Sequence, residues 1–300
     1  MALDSPVSIP RSTVSSIVFL RSEVPARHPS AAILGEERMG AGVAVAPDRV
    51  LTAHYLVLGA SGTEVEGADG KARTVTRIAV DHESGLALLA LSGPELRAAR
   101  LSSDDRVSPG LPVYLLTCTS ERERKGATGH VTVVGPFEAF WEYMLDRAIM
   151  TNAINPGLAG AALFDPGGRV IGVVSLGLAA VGRYTLAIPV GLFLERREEL
   201  ETEGDGSWRA RRAWIGFYPQ GYDGGVAVTG IVPEGPADRA GLARGDLVLS
   251  VDGQPVSNLR ELYTALWRKG PGESLSLQVL RDSAIRIVEV VAGDRYEFYK

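Results

Sequence analysis

At 300 residues the chain is longer than one core commonly fills and suits two domains, by the rule of about 150 residues each. Its net charge of −5 argues against a partner held by phosphate neutralisation, so no nucleic-acid binding is expected. One cysteine, Cys118, excludes an internal disulfide and a cysteine metal cluster, and neither a cofactor motif nor a metal-ligand pattern is present. Basic clusters at Arg122, Arg124 and Lys125 and at Arg209, Arg211 and Arg212 read as solvated loop or linker. The N-terminus lacks a basic start followed by an apolar stretch, so no signal peptide is visible. The longest apolar run, 170–181, is interrupted by Ser175 and glycines and is too short to span a bilayer.

From residue 12 to about 189 the pattern is short β-rich runs broken by Gly, Pro, Asp and Asn. They fall at 13–20, 42–46, 75–80, 86–91, 113–116, 130–134, 169–175 and 184–188. Runs this short point to an all-β barrel or sandwich rather than βαβ units. One helix is expected at 191–203, followed by the polar stretch 203–207, of a type that links domains. A second unit carries strands near 226–232, 247–251, 274–281 and 285–291, with a helix near 258–269. In that helix Leu259, Leu262, Tyr263, Leu266 and Trp267 recur at three- and four-residue spacing, Asn258 caps the start and Gly270-Pro271-Gly272 ends it.

Three segments carry a family resemblance. Gly40 to Val57 has a glycine-rich strand, a Pro47-Asp48 turn and the stretch Leu51-Thr52-Ala53-His54-Tyr55-Leu56-Val57. Asp81 to Leu91 reads Asp-His-Glu-Ser-Gly-Leu-Ala-Leu-Leu-Ala-Leu, and Thr151 to Asp165 contains Asn155-Pro156-Gly157-Leu158-Ala159-Gly160. In this order they resemble the trypsin-like proteases of the HtrA/Deg type. That chemistry requires a serine nucleophile, a histidine base and an aspartate that orients the base. By the resemblance, Tyr55 stands where the histidine belongs, Gly85 where the aspartate belongs and Ala159 where the serine belongs, so no catalytic residue is assigned. The oxyanion loop, Gly157, Leu158 and Gly160, is altered as well, because Ala161 and Ala162 replace the usual glycine and proline. A cleft of this kind without its triad retains roughly 10³–10⁴-fold acceleration over water, far below the roughly 10⁶-fold or more of an enzyme. His54, one residue early, is expected to point away from the cleft; His82 reads as a surface-loop residue, and Ser84 and Ser175 as ordinary turn and strand residues.

The C-terminal unit resembles an HtrA-type PDZ domain through Trp214-Ile215-Gly216-Phe217 and through the run from Pro233 to Gly253. The resemblance implies a carboxylate-binding loop at 214–217 and an apolar pocket of Ile215, Phe217, Leu262 and Leu266. Peptide tails would then add as a strand at a sheet edge. The short segment 218–223 and Pro219, which has no N–H to donate, shorten that edge.

The expected fold is therefore mainly β: a chymotrypsin-like double β-barrel followed by an α+β PDZ-like domain. The expected division is a degenerate protease domain at 1–198, a linker at 199–212 and a PDZ-like domain at 213–300. The implied function is a pseudoprotease, not an enzyme, that serves as a peptide- or protein-binding scaffold, regulator or chaperone. The alternative is a serine-type endopeptidase with a rearranged site. Peptides or protein C-terminal tails are the expected partners, with a homotrimer or association with an active relative implied by the family. The same resemblance suggests an extracytoplasmic or periplasmic setting.

Overall fold

The computed structural model describes residues 11–102, 107–178, 182–202 and 211–300. The expected linker residues 203–210 lie outside them. The chain divides into two compact units: Met1–Gly135 with Arg147–Ser207, and Pro136–Asp146 with Trp208–Lys300.

The first barrel contains β1 (Ile17–Glu23), β2 (Glu37–Ala46), β3 (Arg49–Ala53), β4 (Gly62–Glu66), β5 (Ala72–Asp81) and β6 (Leu86–Ser92). These close in the order β1-β2-β3-β6-β5-β4. Strand β6 shows how the sequence sets its place. Ala87, Leu89 and Leu91 alternate into the barrel core with Val18, Val50 and Val65, while Leu86 and Leu88 on the opposite face are also buried. A strand covered on both faces reads as an unbroken apolar run, as this one does.

The second sheet contains β7 (Arg100–Leu101), β8 (Pro112–Cys118), β9 (Arg124–Ala139), β10 (Tyr143–Thr151), β11 (Ala162–Phe164), β12 (Arg169–Gly177) and β13 (Thr185–Pro189). Its order is β11-β8-β9-β10-β13-β12-β7, and an added β11–β12 pairing closes it into a second barrel. Leu115, Ile149, Leu163, Ile171 and Ala187 fill that barrel. Cys118 ends β8 fully buried, and burial pushes its thiol up to about 11, so it packs as a small hydrophobe. Arg124 is not a solvated side chain: its guanidinium donates to the carbonyls of Ile17, Glu121 and Glu66.

Two expected elements differ. The segment 13–20 begins as a helical turn, Arg11–Val14, before β1. The Ser16 hydroxyl donates to the Thr13 carbonyl at 2.7 Å, a local bond that competes with the strand ladder. The helix expected at 191–203 is two short ones, Gly191–Leu194 and Arg197–Thr202. Between them the Arg196 N–H reaches back only three residues, to the Phe193 carbonyl, so the ladder tightens and restarts.

The C-terminal sheet is built of β14 (Phe217–Tyr222), β15 (Gly225–Ile231), β16 (Leu247–Val251), β17 (Gln254–Pro255), β18 (Ser274–Arg281) and β19 (Ala284–Val291). Its path is β14-β15-β16-β18-β19, with β17 on β16, so β14 is an edge strand. The helix Leu259–Leu266 lies over the core, and Asn258 Oδ1 accepts from the Glu261 N–H at 2.9 Å, the expected N-cap. Leu262, Tyr263, Ala265 and Leu266 are its buried residues. Burying each leucine contributes about 2 kcal/mol.

Asp246, with a fully buried carboxylate, takes two bonds from Arg281 at 2.5 and 2.6 Å and one from the Ala243 N–H at 2.9 Å. Burial raises this carboxyl's pKa, but the bonds from Arg281 and Ala243 outweigh it and leave it below the ordinary value. A carboxyl held low in the fold adds stability that is complete above about pH 4 and fades as the pH falls through the lowered value. Asp246→Asn is expected to cost about 2 kcal/mol at pH 7. In urea unfolding, its deficit against the parent chain should shrink below pH 4.

Candidate functional site

Tyr55 lies in the tight turn His54–Leu56 that follows β3. Arg38, itself buried, holds this turn by donating to the carbonyls of Tyr55 at 2.7 Å and Leu58 at 2.9 Å. The Tyr55 hydroxyl donates to the Ser175 carbonyl on β12 at 2.7 Å, a bond across the seam between the two barrels. Burial raises the phenol above its usual value, so it stays a neutral donor at physiological pH.

Gly85 begins the return into β6 at φ +78°, and its carbonyl accepts from the His54 N–H at 2.9 Å. Ala159 comes to the same seam from the other side. Its carbonyl accepts from the Ala41 N–H at 2.7 Å, and the next N–H, of Gly160, donates to Val174 at 2.8 Å. Tyr55 and the 157–160 loop therefore meet on adjacent residues of β12. Gly160 has φ +83°, and a Cβ there would lie 1.9 Å from the Ala41 oxygen, which also accepts from Thr52 Oγ1 at 2.8 Å. In the loop, the Gly157 N–H donates to Asn155 Oδ1 at 3.2 Å and the Leu158 N–H to the Cys118 carbonyl at 2.9 Å. These donors are engaged within the chain. Tyr55, Gly85 and Ala159 thus present a phenol, a bare backbone and a methyl, none of which is a nucleophile paired with a base.

The nearby imidazoles are packed rather than exposed. His54 Nδ1 lies 3.1 Å from the Gly85 carbonyl, which can only accept, so this nitrogen carries the proton. The His54 and His82 rings meet edge to face at 5.5 Å. His82 is 5% exposed, which corrects its reading as a surface-loop residue: the turn folds inward because Asp81 Oδ1 caps the Glu83 N–H. Ser84 Oγ, also buried, takes the Leu86 N–H at 3.3 Å. Elsewhere in the first barrel, Ser30 Oγ lies 2.7 Å from His28 Nδ1. It also takes a bond from Arg38 and touches the Leu58 carbonyl, so it acts as a buried clamp on the loop after β1.

In the second unit Trp214 pairs with Gly293, and its ring packs on Phe298 at 4.6 Å. After it, Gly216 takes φ +77°, which turns successive N–H groups to one side and forms an anion-binding nest. The Ile215 N–H donates to Glu142 Oε2 at 3.1 Å, and those of Gly216 and Phe217 donate to Glu142 Oε1 at 2.7 and 3.2 Å. Glu142 sits at the tip between β9 and β10, at φ +54°, and is buried. Its N–H meets the Tyr263 hydroxyl at 3.2 Å, and Arg295 donates to the carbonyls of Glu142 at 2.9 Å and Trp141 at 2.7 Å. Burial pushes this carboxyl's pKa up, while Arg295 and the three N–H groups act the other way.

Ile215, Phe217, Leu262 and Leu266, expected to line a pocket, are each at most 1% exposed and belong to the core, against which Met144 of the same tip packs. Sequence reading missed Glu142. Its only signal is an acidic residue inside the aromatic run Phe140-Trp141-Glu142-Tyr143, next to a turn.

Residues 40–173 match a trypsin-like peptidase domain and residues 213–291 a PDZ domain. Fold and matches together define a trypsin-like barrel pair followed by a PDZ domain. The chain is 29% identical over 280 residues to a probable periplasmic serine endoprotease, DegP-like, of Halomonas elongata, covering 86% of this chain and 57% of that protein. It is 28% identical over 286 residues to the protein of the same description in Ectopseudomonas mendocina, covering 89% of this chain and 59% of that one. It thus spans under three-fifths of the length of these relatives. Among solved structures, the HtrA-type protease AlgW with decapeptide shares the fold at a TM-score of 0.57 and 24% identity, covering 94% of this chain and 96% of that one.

In both domains and in their order the chain is similar to the HtrA-like members of the trypsin-fold serine proteases. The expectation that it is not an enzyme is corrected by these comparisons. The relatives are named serine endoproteases, so the family points to an enzyme, and the residues at positions 55, 85 and 159 do not by themselves show inactivity.

Tyr55→Phe should lower thermal stability by about 1 kcal/mol through loss of the bond to Ser175. Gly160→Ala, which meets both a backbone oxygen and a left-handed φ, should cost more than about 2 kcal/mol in denaturant unfolding.

Proposed function

We propose that the chain acts as a peptide- and protein-binding member of the HtrA-like family, a scaffold, regulator or chaperone that takes C-terminal tails in its PDZ domain. One observation carries this reading: the Ile215, Gly216 and Phe217 N–H groups converge on a carboxylate, the group that ends every polypeptide. Edge strand β14 runs on from those donors and offers a ladder to an incoming strand, shortened where Pro219 interrupts it. The division that fits is a barrel domain at 1–198, a linker at 199–212 and a PDZ domain at 213–300, with the tip 136–146 contributed to the latter unit. Homotrimer formation or association with an active relative extends the reading and would appear as a larger mass in light scattering.

A second reading rests on the names of the relatives: endopeptidase activity drawn from side chains other than those at 55, 85 and 159. A serine-directed fluorophosphonate probe and digestion of unfolded casein test it. Labelling with casein cleavage supports the second reading, and the absence of both contradicts it.

The binding reading predicts that labelled octapeptides with randomised last residues and free α-carboxylates bind the full chain at least tenfold more tightly than the same pool as C-terminal amides, about 1.4 kcal/mol or more. Anisotropy titration measures this, and equal affinities would contradict the reading.

A further inference from the structure

The nest at Ile215–Phe217 is already filled by the chain itself. Three consecutive backbone N–H groups and both carboxylate oxygens are used, within 2.7–3.2 Å. The tip that delivers this carboxylate is held by the same unit at several other points. Tyr263 bridges the Ala139 carbonyl and the Glu142 N–H, and Arg295 takes the carbonyls of Trp141 and Glu142. Arg260 pairs with Glu138 at 2.7 Å and with Asp146 at 3.2 Å, one on each side of the tip. Glu142 adopts φ +54°, the left-handed conformation of a tight turn, between β9 and β10. The tip is thus built to present this side chain.

We infer that the Glu142 carboxylate is a built-in occupant of the PDZ carboxylate site, so that a protein C-terminus enters only by displacing it. The inference rests on the tail-binding reading above. A tethered group competes at an effective concentration in the millimolar range, and a free tail binds more weakly by the fraction of time the site is open. Displacement also frees Met144 from the core it packs against, so tail binding and release of the tip are one equilibrium.

The test compares the full chain with Glu142→Gln and Glu142→Ala, using the free-acid and amide octapeptide pools in anisotropy titrations. Hydrogen exchange at residues 215–217 is followed in parallel. Glutamine keeps the size of the side chain but turns an NH₂ toward the donors, and alanine removes the group. The expected result is that both variants bind the free-acid pool at least tenfold more tightly than the parent, bind the amide pool no better, and exchange the three amides faster. Equal free-acid affinity in all three proteins would overturn the occupant while leaving tail binding intact. If no protein bound either pool, the tail-binding reading would fall. Exchange alone would then decide the seat of Glu142: faster in the variants supports it, and unchanged rules it out. A variant that merely unfolds would show fast exchange throughout the unit, and Arg295→Gln, which releases two carbonyls of the tip, then provides the same comparison.

Discussion

A carboxylate withdrawn from water must find donors in the protein, and the fold meets Glu142 with three consecutive backbone N–H groups and the nearby charge of Arg295. Those donors exist because Gly216 turns left-handed, which aims neighbouring amides at one point. The rest of the C-terminal unit supports that point. The Ile215 and Gly216 carbonyls are taken up by the N–H groups of Ala237 and Val232, and Tyr263, from the capped helix, reaches both ends of the tip. Removing the glycine, the helix or the tip would leave polar groups buried without partners, the costliest outcome in such a core.

The barrels obey a similar rule with a different outcome. The residues that the sequence resemblance sets at the family's catalytic positions are held through their backbone: Arg38 on the turn at Tyr55, Ala41 on Ala159, and Val174 on the neighbouring Gly160. Tyr55 spends its hydroxyl on the bond across the seam, which makes it a structural strut. The relatives' names speak for an endopeptidase, and the contacts of Tyr55 and Ala159 show how this seam is held.

Periodicity and spacing carried much of the fold. The alternation in β6, the Asn258 cap and the apolar face of the helix over 259–266 were all readable, because each is a local pattern answering to a local force. The segment at 13–20 was misread because a serine-to-backbone bond three residues apart leaves no mark in hydrophobic alternation. His82 was misread because burial inside a turn depends on what packs above it. The 214–217 loop was legible as a motif, but its occupant was not. Glu142 lies more than 70 residues away in sequence, and nothing in a linear pattern says which acidic residue will seat on distant amides.

The direct measurement is an amide proton–nitrogen NMR spectrum of the full chain and of Glu142→Gln. If the carboxylate sits on the nest, the Ile215, Gly216 and Phe217 resonances shift together when it is replaced, while Gly253, in the turn between β16 and β17, keeps its own. Resonances of residues 215–217 that coincide in the two spectra would show that the carboxylate is not there.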